Sequence, residues 1–246
     1  MKRFFRRHAT LWMLIGFCLL LGLFLSLRTG IFFTGRNLIN ILEANSFKLL
    51  LAIGMTFVIA SGGIDLSVGS ILSLSAIFTA LCMKQNIPVW LAILVGLLSG
   101  ILMGLINGAL IHFTGINAFI ITLGTSFLYR GLALIVTRGT PVSKLPAAYR
   151  AFGGGDIFQV ESGVYMALLV LLLSIPLLYK MRWGHYITTL GGNPVALRRC
   201  GVRTGAWRIS TFAVMGFLAA LAGIIISARL NSAEPNAGLN MEMDAI

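Results

Sequence analysis

Two apolar runs between Leu49 and Met83 are broken by Ser61-Gly62-Gly63-Ile64-Asp65-Leu66-Ser67-Val68-Gly69-Ser70, which sets a glycine pair and a carboxylate between stretches of membrane grade. Hydrocarbon offers neither backbone groups nor a carboxylate any partner, so such a break must be satisfied by protein or line a cavity. It therefore calls for a bundle of helices around it. Leu11–Leu27 and six further segments can supply one: Leu49–Ala60, Leu66–Met83, Pro88–Ile111, Ile116–Val136, Val164–Tyr179 and Ile209–Ser227. Each comes near the ~20 residues a helix needs to cross the bilayer core, some only with flanking polar residues. Leu49–Ala60 is too short alone; it recruits Asn45-Ser46-Phe47-Lys48 or forms a half-helix.

Composition agrees. Hydrophobic residues make up 58% of the 246 and charged residues 11%, against about a quarter charged in a soluble domain. The reading is an all-α, polytopic membrane protein with about seven transmembrane helices, a single transmembrane domain over residues 1–246. The formal charge of +12 fits positive-inside loops and contact with anionic lipid, and no nucleic-acid partner is expected. Cys18, Cys82 and Cys200, like His8, His112 and His185, are scattered without metal-ligand spacing, so no metal site is expected. Met1-Lys2-Arg3-Phe4-Phe5-Arg6-Arg7 before Leu11–Leu27 reads as a signal anchor, since no small-x-small cleavage site follows.

Parity sets the expected topology. With a cytoplasmic N-terminus and Leu49–Met83 counted as two spans, the chain returns to the cytoplasm at Lys180. Residues 180–208 hold six basic residues and no acid, as an inside loop should. Residues 137–162, with Gly153-Gly154-Gly155 as a flexible turn, then face outward. Gly96, Gly100, Gly104 and Gly108, each four apart, form one smooth helical stripe, and Gly216, Ala220 and Gly223 form another. Both predict close helix packing.

No catalytic residue is expected. The chain has no G-x-x-x-x-G-K-[ST], no G-x-G-x-x-G and no H-E-x-x-H. Gly124-Thr125-Ser126-Phe127-Leu128 lacks the last glycine of a nucleophile elbow. Asp65 is the lone acid within the spans, with Glu43 and Glu161 near segment ends, which argues against a proton relay.

Three features remain. At the break, Asp65 either caps the helix beginning at Leu66 or takes part in gating, with Ser67 and Ser70 able to satisfy freed amides. Within the spans, Asn107, Thr122, Thr125 and Ser126 are polar and uncharged, Thr122 and Ser126 sharing a helix face; they either bond between helices or line a path for a hydroxyl-rich solute. In the inside loop, Asn193-Pro194 starts a short helix ending at Gly201, preceded by Gly191-Gly192. That helix either docks a protein partner or lies on lipid.

At these residues the chain resembles the permease subunits of ribose-type monosaccharide ABC importers. The matching stretches are Gly54-Met55-Thr56-Phe57-Val58-Ile59 with Gly62–Ser70, Ala118-Phe119-Ile120-Ile121-Thr122-Leu123 with Tyr129-Arg130-Gly131, and Gly191-Gly192-Asn193-Pro194 with Ala196 and Gly201-Val202. Ser232–Gly238 and Met243-Asp244-Ala245-Ile246 resemble that family's next outer segment. Cys200 stands where a serine is common, and Thr189 where alanine is usual.

The resemblance implies a transport subunit rather than an enzyme, multi-pass in a bacterial inner membrane and translocating a ribose-like sugar by alternating access. It implies a partner ATPase that carries ATP and magnesium, a second permease copy or paralogue, and an extracytoplasmic sugar-binding protein. This chain itself would bind no cofactor. On the matching positions, Gly191, Gly192, Asn193, Pro194, Ala196 and Gly201 would engage the ATPase. Asp65, Ser67, Asn107, Phe119, Thr122 and Ser126 would line or gate the path. The family continues for about three more spans, to about ten, so the chain reads as truncated at Ile246. The competing expectation is a channel or facilitator that needs no ATPase.

Overall fold

The computed structural model describes residues 9–246, so the basic N-terminal cluster and His8 lie outside the described residues. The chain divides into two compact units, residues 1–44 and 45–246. In the first, α1 (Ala9–Thr29) leads to a turn in which Asn37 Nδ2 donates to Phe32 O at 2.8 Å. Helix α2 (Gly35–Ala60) is 26 residues long, so Leu49–Ala60 is the end of a full-length helix. Its polar residues Asn45, Ser46 and Lys48 continue the helix because each can bond or snorkel without breaking the backbone ladder.

The second unit holds α3 (Val68–Lys84), α4 (Val89–Thr114), α5 (Ala118–Thr137), β1 (Val142–Ser143), α6 (Ala147–Gly154), β2 (Asp156–Ile157), β3 (Val160–Glu161), α7 (Ser162–Tyr179), α8 (Arg182–Gly192), α9 (Pro194–Arg199), α10 (Thr204–Leu230), β4 (Ser232–Ala233) and α11 (Met241–Ala245). Among the described residues six helices are long and apolar enough to cross a membrane: α1, α2, α4, α5, α7 and α10. Helix α3, with 17 residues, is apolar but shorter. The protein is therefore all-α and polytopic.

The glycine stripes do what their spacing predicts. Helix α10, roughly 40 Å long at 1.5 Å per residue, lies along α4. A Cβ at Gly100 would collide with Ala220 Cβ and approach Gly216 O to 2.5 Å, and one at Gly108 would meet Ile209 Cα at 2.7 Å. Backbones can approach this closely because α4 presents only glycines at the crossing and α10 presents Gly216 and Ala220. Helices α3 and α5 complete the core, where Leu72, Ile77, Phe212 and Met215 are buried.

The unit has two ends. At one, a cavity is shared by Ser61, Gly62, Asn117 and Arg208, which joins the break, the α4–α5 turn and the start of α10. At the other, β1 pairs antiparallel with β4, Leu145 N–H donates to Asn231 Oδ1 at 3.1 Å, and Lys84 Nζ donates to Lys144 O at 3.3 Å. Residues 180–204 belong with the first end and residues 138–161 with the second. The Gly153-Gly154-Gly155 triplet, expected as a flexible turn, instead closes α6. A Cβ at Gly153 would meet Ile225 O at 2.7 Å and Ala228 Cβ at 2.8 Å, so the small residue is needed for α6 to seat on α10. Tyr149 fixes the same contact, its buried hydroxyl lying 2.6 Å from Ser227 Oγ and 3.1 Å from Ile224 O. Burial pushes this phenol up, so it stays protonated as a donor.

Residues 231–246 start at the second end and then turn back along α3: after pairing with β1, the Glu234 and Pro235 carbonyls both lie 2.9 Å from Ser73 Oγ, and Gly238 packs on Gly69. Irregular backbone returning between helices requires internal partners for its carbonyls. Ser73 and Arg130 supply them.

Candidate translocation site

Local chemistry dictates the break. Gly63 N–H bonds Val58 O at 3.0 Å and Gly62 N–H bonds Ile59 O at 2.9 Å, with Gly62 at φ +81°. This paired closure ends a helix on a left-handed residue and favours glycine there. The chain then runs through Ile64-Asp65-Leu66, and α3 begins at Val68, not at Leu66. Asp65 accordingly sits three residues before the helix, two before its N-cap Ser67: its Oδ1 accepts Ser67 N–H at 2.8 Å and Ser67 Oγ–H at 2.6 Å. The reason is the Asx turn, in which a carboxylate bonds the amide two residues on and so ends its reach before the first helical turn.

From Ser67 a polar chain crosses the core. Asn107 Nδ2 donates to Ser67 Oγ at 2.7 Å, and Asn107 Oδ1 accepts from Tyr129 Oη at 3.1 Å. Thr122 Oγ1 accepts Leu66 N–H at 3.0 Å and lies 2.8 Å from Ala118 O. Asp65, Ser67, Asn107 and Thr122 are completely buried. The structure thus brings four of the six candidate path residues together, in a network with no open surface. Asp65 Oδ2 has no hydrogen-bond partner among the described residues.

The other two, Phe119 and Ser126, line a separate cavity of about 390 Å³ between the start of α3, α5 and the returning segment. Ser70 Oγ and Ser126 Oγ bond each other at 3.0 Å on its wall. Arg130, Asn240 and Glu242 also face it. Arg130 Nη1 donates to Pro235 O at 2.6 Å and Ala237 O at 2.7 Å, tying the returning segment to α5. Tyr129, Arg130, Asn240 and Glu242 are absent from the residues picked from sequence. Tyr129-Arg130 lay within a matching stretch, and a cation inside an apolar 20-residue helix was a signal in itself; Asn240 and Glu242 had none.

At the opposite cluster, Asn193 Oδ1 accepts Ala196 N–H at 2.9 Å, Pro194 holds the first helical position, and Gly201 at φ +77° ends α9. Leu197 anchors the helix while Val195, Ala196, Arg198 and Arg199 face outward. Gly191 and Gly192 part company. A Cβ at Gly191 would strike Ala60 O and come within 2.9 Å of Gly62 N, whereas one at Gly192 would meet open space. The end of α8 is therefore seated directly on the break.

Residues 37–246 match the family model described as branched-chain amino acid transport system / permease component. The chain is 37% identical over 219 residues to a ribose import permease protein of Haemophilus influenzae, covering 87% of this chain and 68% of that one. It is 37% identical over 233 residues to the ribose import permease protein of Bacillus subtilis (92% and 72%), and 34% identical over 244 residues to a D-allose transport system permease protein of Escherichia coli (99% and 74%). No solved structure matches it. The chain belongs to the ribose-type ABC importer permeases. As a sugar ABC importer permease it is a transport subunit and a multi-pass membrane protein. The permease's matched residues include the break, the polar network, the cavity and α9.

Proposed function

We propose that this permease passes a ribose-like monosaccharide across a bacterial inner membrane by alternating access, driven by a partner ATPase that docks on α9. In this reading the N-terminus and residues 180–208 are cytoplasmic, residues 137–162 are extracytoplasmic, and a sugar-binding protein delivers cargo from outside. A second permease copy or paralogue completes the path. ATP and magnesium are held by the ATPase. Asn193, Pro194, Ala196 and Gly201 shape the docking helix, and Gly192 leaves room beside it.

One observation carries the mechanism: Gly191 rests on the end of α2 and on Gly62. Motion of α8–α9 must then displace the break, because closely packed backbones transmit displacement rather than absorb it. The break is bonded to Thr122 of α5 and, through Ser67, to Asn107 of α4. Closure of the ATPases would thereby shift α5, whose next turn carries Ser126. The buried network acts as a joint, and the path lies beside it.

The test is ATP-driven uptake of D-ribose into proteoliposomes holding the permease, its ATPase and its binding protein. Uptake that requires all three and ATP is expected. Equal uptake by the permease alone would overturn the reading in favour of a facilitator.

A further inference from the structure

Arg130 and Glu242 line one cavity, carry opposite charges, and do not pair. The two influence each other electrostatically, yet neither a hydrogen bond nor a contact ion pair joins them. Arg130 engages the returning segment through Nη1, and its Nε and Nη2 make no hydrogen bond among the described residues. The Glu242 carboxylate likewise accepts none. Both charges therefore keep hydrogen-bonding capacity free at the cavity, and a cation within an apolar span pairs with backbone carbonyls or lines a polar cavity, both of which Arg130 does.

We propose that this cavity is a binding site for one monosaccharide-sized neutral polyol, whose hydroxyls bridge Arg130 and Glu242 while Phe119 and Phe127 cover its C–H face. The proposal rests on the sugar-permease reading. The guanidinium donates to hydroxyl oxygens and the carboxylate accepts from hydroxyl protons, so one polyol satisfies both with charge-assisted bonds. Ser70 and Ser126 share a single proton between them at 3.0 Å, which leaves the second hydroxyl proton available. Asn240 adds a donor and an acceptor. The volume, about 390 Å³, falls in the lower part of the roughly 300–1,000 Å³ range of small-molecule sites, as one small ligand with a few waters requires. Phe119 and Phe127 of α5 line the cavity and are substantially exposed, and an aromatic face there suits the apolar face of a pyranose or furanose ring.

An amino-acid zwitterion would also satisfy one cation and one anion. It has no use for the two serines and the asparagine, and the allose and ribose relatives speak for hydroxyls. L-Leucine is therefore the discriminating probe.

The experiment is saturation-transfer NMR on the purified chain in nanodiscs, titrated with D-ribose and, separately, with L-leucine. Three proteins are compared: wild type, Glu242→Gln and Ser126→Leu. Glu242→Gln removes no hydrogen bond and Ser126→Leu removes the single Ser70–Ser126 bond, so unchanged thermal melting is required of both before binding is compared. D-ribose is expected to bind wild type and to bind each variant at least about tenfold more weakly, the loss of one well-placed polar contact. No binding to wild type, or equal binding to all three, overturns the site. Displacement of D-ribose by L-leucine at comparable concentration overturns the ligand class. ATP-driven uptake in proteoliposomes is measured in parallel: uptake without binding removes the site and leaves the permease reading standing, whereas binding without ATP-dependent uptake keeps the site and removes that reading.

Discussion

Asp65 separates a structural carboxylate from a transport one when it is replaced by alanine and, separately, by asparagine. Its Oδ1 accepts two short bonds from Ser67, and its Oδ2 accepts none. Alanine removes both bonds and strands the Ser67 amide in a buried site. Two lost hydrogen bonds and one stranded buried amide give a net loss of about 2–4 kcal/mol. For a chain of this size that is a drop of roughly 5–15 °C in melting temperature. Asparagine keeps an oxygen for both donors and places its NH2 where Oδ2 was; about 1 kcal/mol or less is expected. Melting of the nanodisc-held protein, followed by tryptophan fluorescence, reads both. If asparagine melts as low as alanine, the two-bond account is refuted. Uptake extends the test: a buried joint predicts that Asp65→Asn retains transport within about twofold. A loss beyond about tenfold with unchanged melting would give the charge itself a part in the cycle.

Gly191→Val should lower transport and sugar-stimulated ATPase activity by one to two decades, from about 1–3 kcal/mol of overpacking against Ala60 and Gly62. Gly192→Ala, which meets open space, should leave both near wild type; equal effects at the two positions would refute the seating of α8 on the break. Tyr149→Phe removes the bonds to Ser227 and Ile224, while Ser227 keeps its own bond to Gly223 O, and should cost about 1 kcal/mol in melting without altering D-ribose binding. Arg130→Met releases the Ala237 carbonyl and leaves Pro235 O only its Ser73 bond, so limited proteolysis should cut within residues 231–240, where wild type resists.

Much of the bundle was legible because its signals are local. Apolar runs mark the long helices, four-residue glycine spacing marks the α4–α10 crossing, and Asn193-Pro194 with Gly201 marks both ends of α9. The length of α2 was not, because Gly35–Lys48 contains polar residues that a helix tolerates and a hydropathy pattern discounts. The return of residues 231–246 along α3 was also illegible. Its carbonyls are held by Ser73 and Arg130, far away in sequence, and nothing in Glu234-Pro235 announces those partners. The candidate site divided for the same reason. Polarity inside a span identifies Asn107, Thr122 and Ser126 alike, but only the fold determines that the first two face other polar atoms and the third a cavity.

That division makes α5 the common carrier of structure and path. Thr122, Ser126, Tyr129 and Arg130 follow one another at helical spacing, so a single edge of α5 meets the break, the cavity, the Asn107 network and the returning segment in turn. Both irregular segments of the core, residues 61–67 and 231–240, therefore draw bonds from the same helix. Because a helix moves as a rigid body over distances of one turn, displacement of the break by Gly191 cannot leave the cavity walls where they were: Leu66 and Ser70 travel with α3, and Phe119, Ser126 and Arg130 with α5. On the proposed mechanism, coupling and cargo are then read by one element. A substitution that loosens α5 without touching the cavity should uncouple ATP hydrolysis from uptake while D-ribose binding persists. Thr122→Val, which deletes the bond to Leu66 and keeps side-chain volume, is the narrowest such change. Coupled uptake at wild-type rate in that variant would remove α5 from the transmission line.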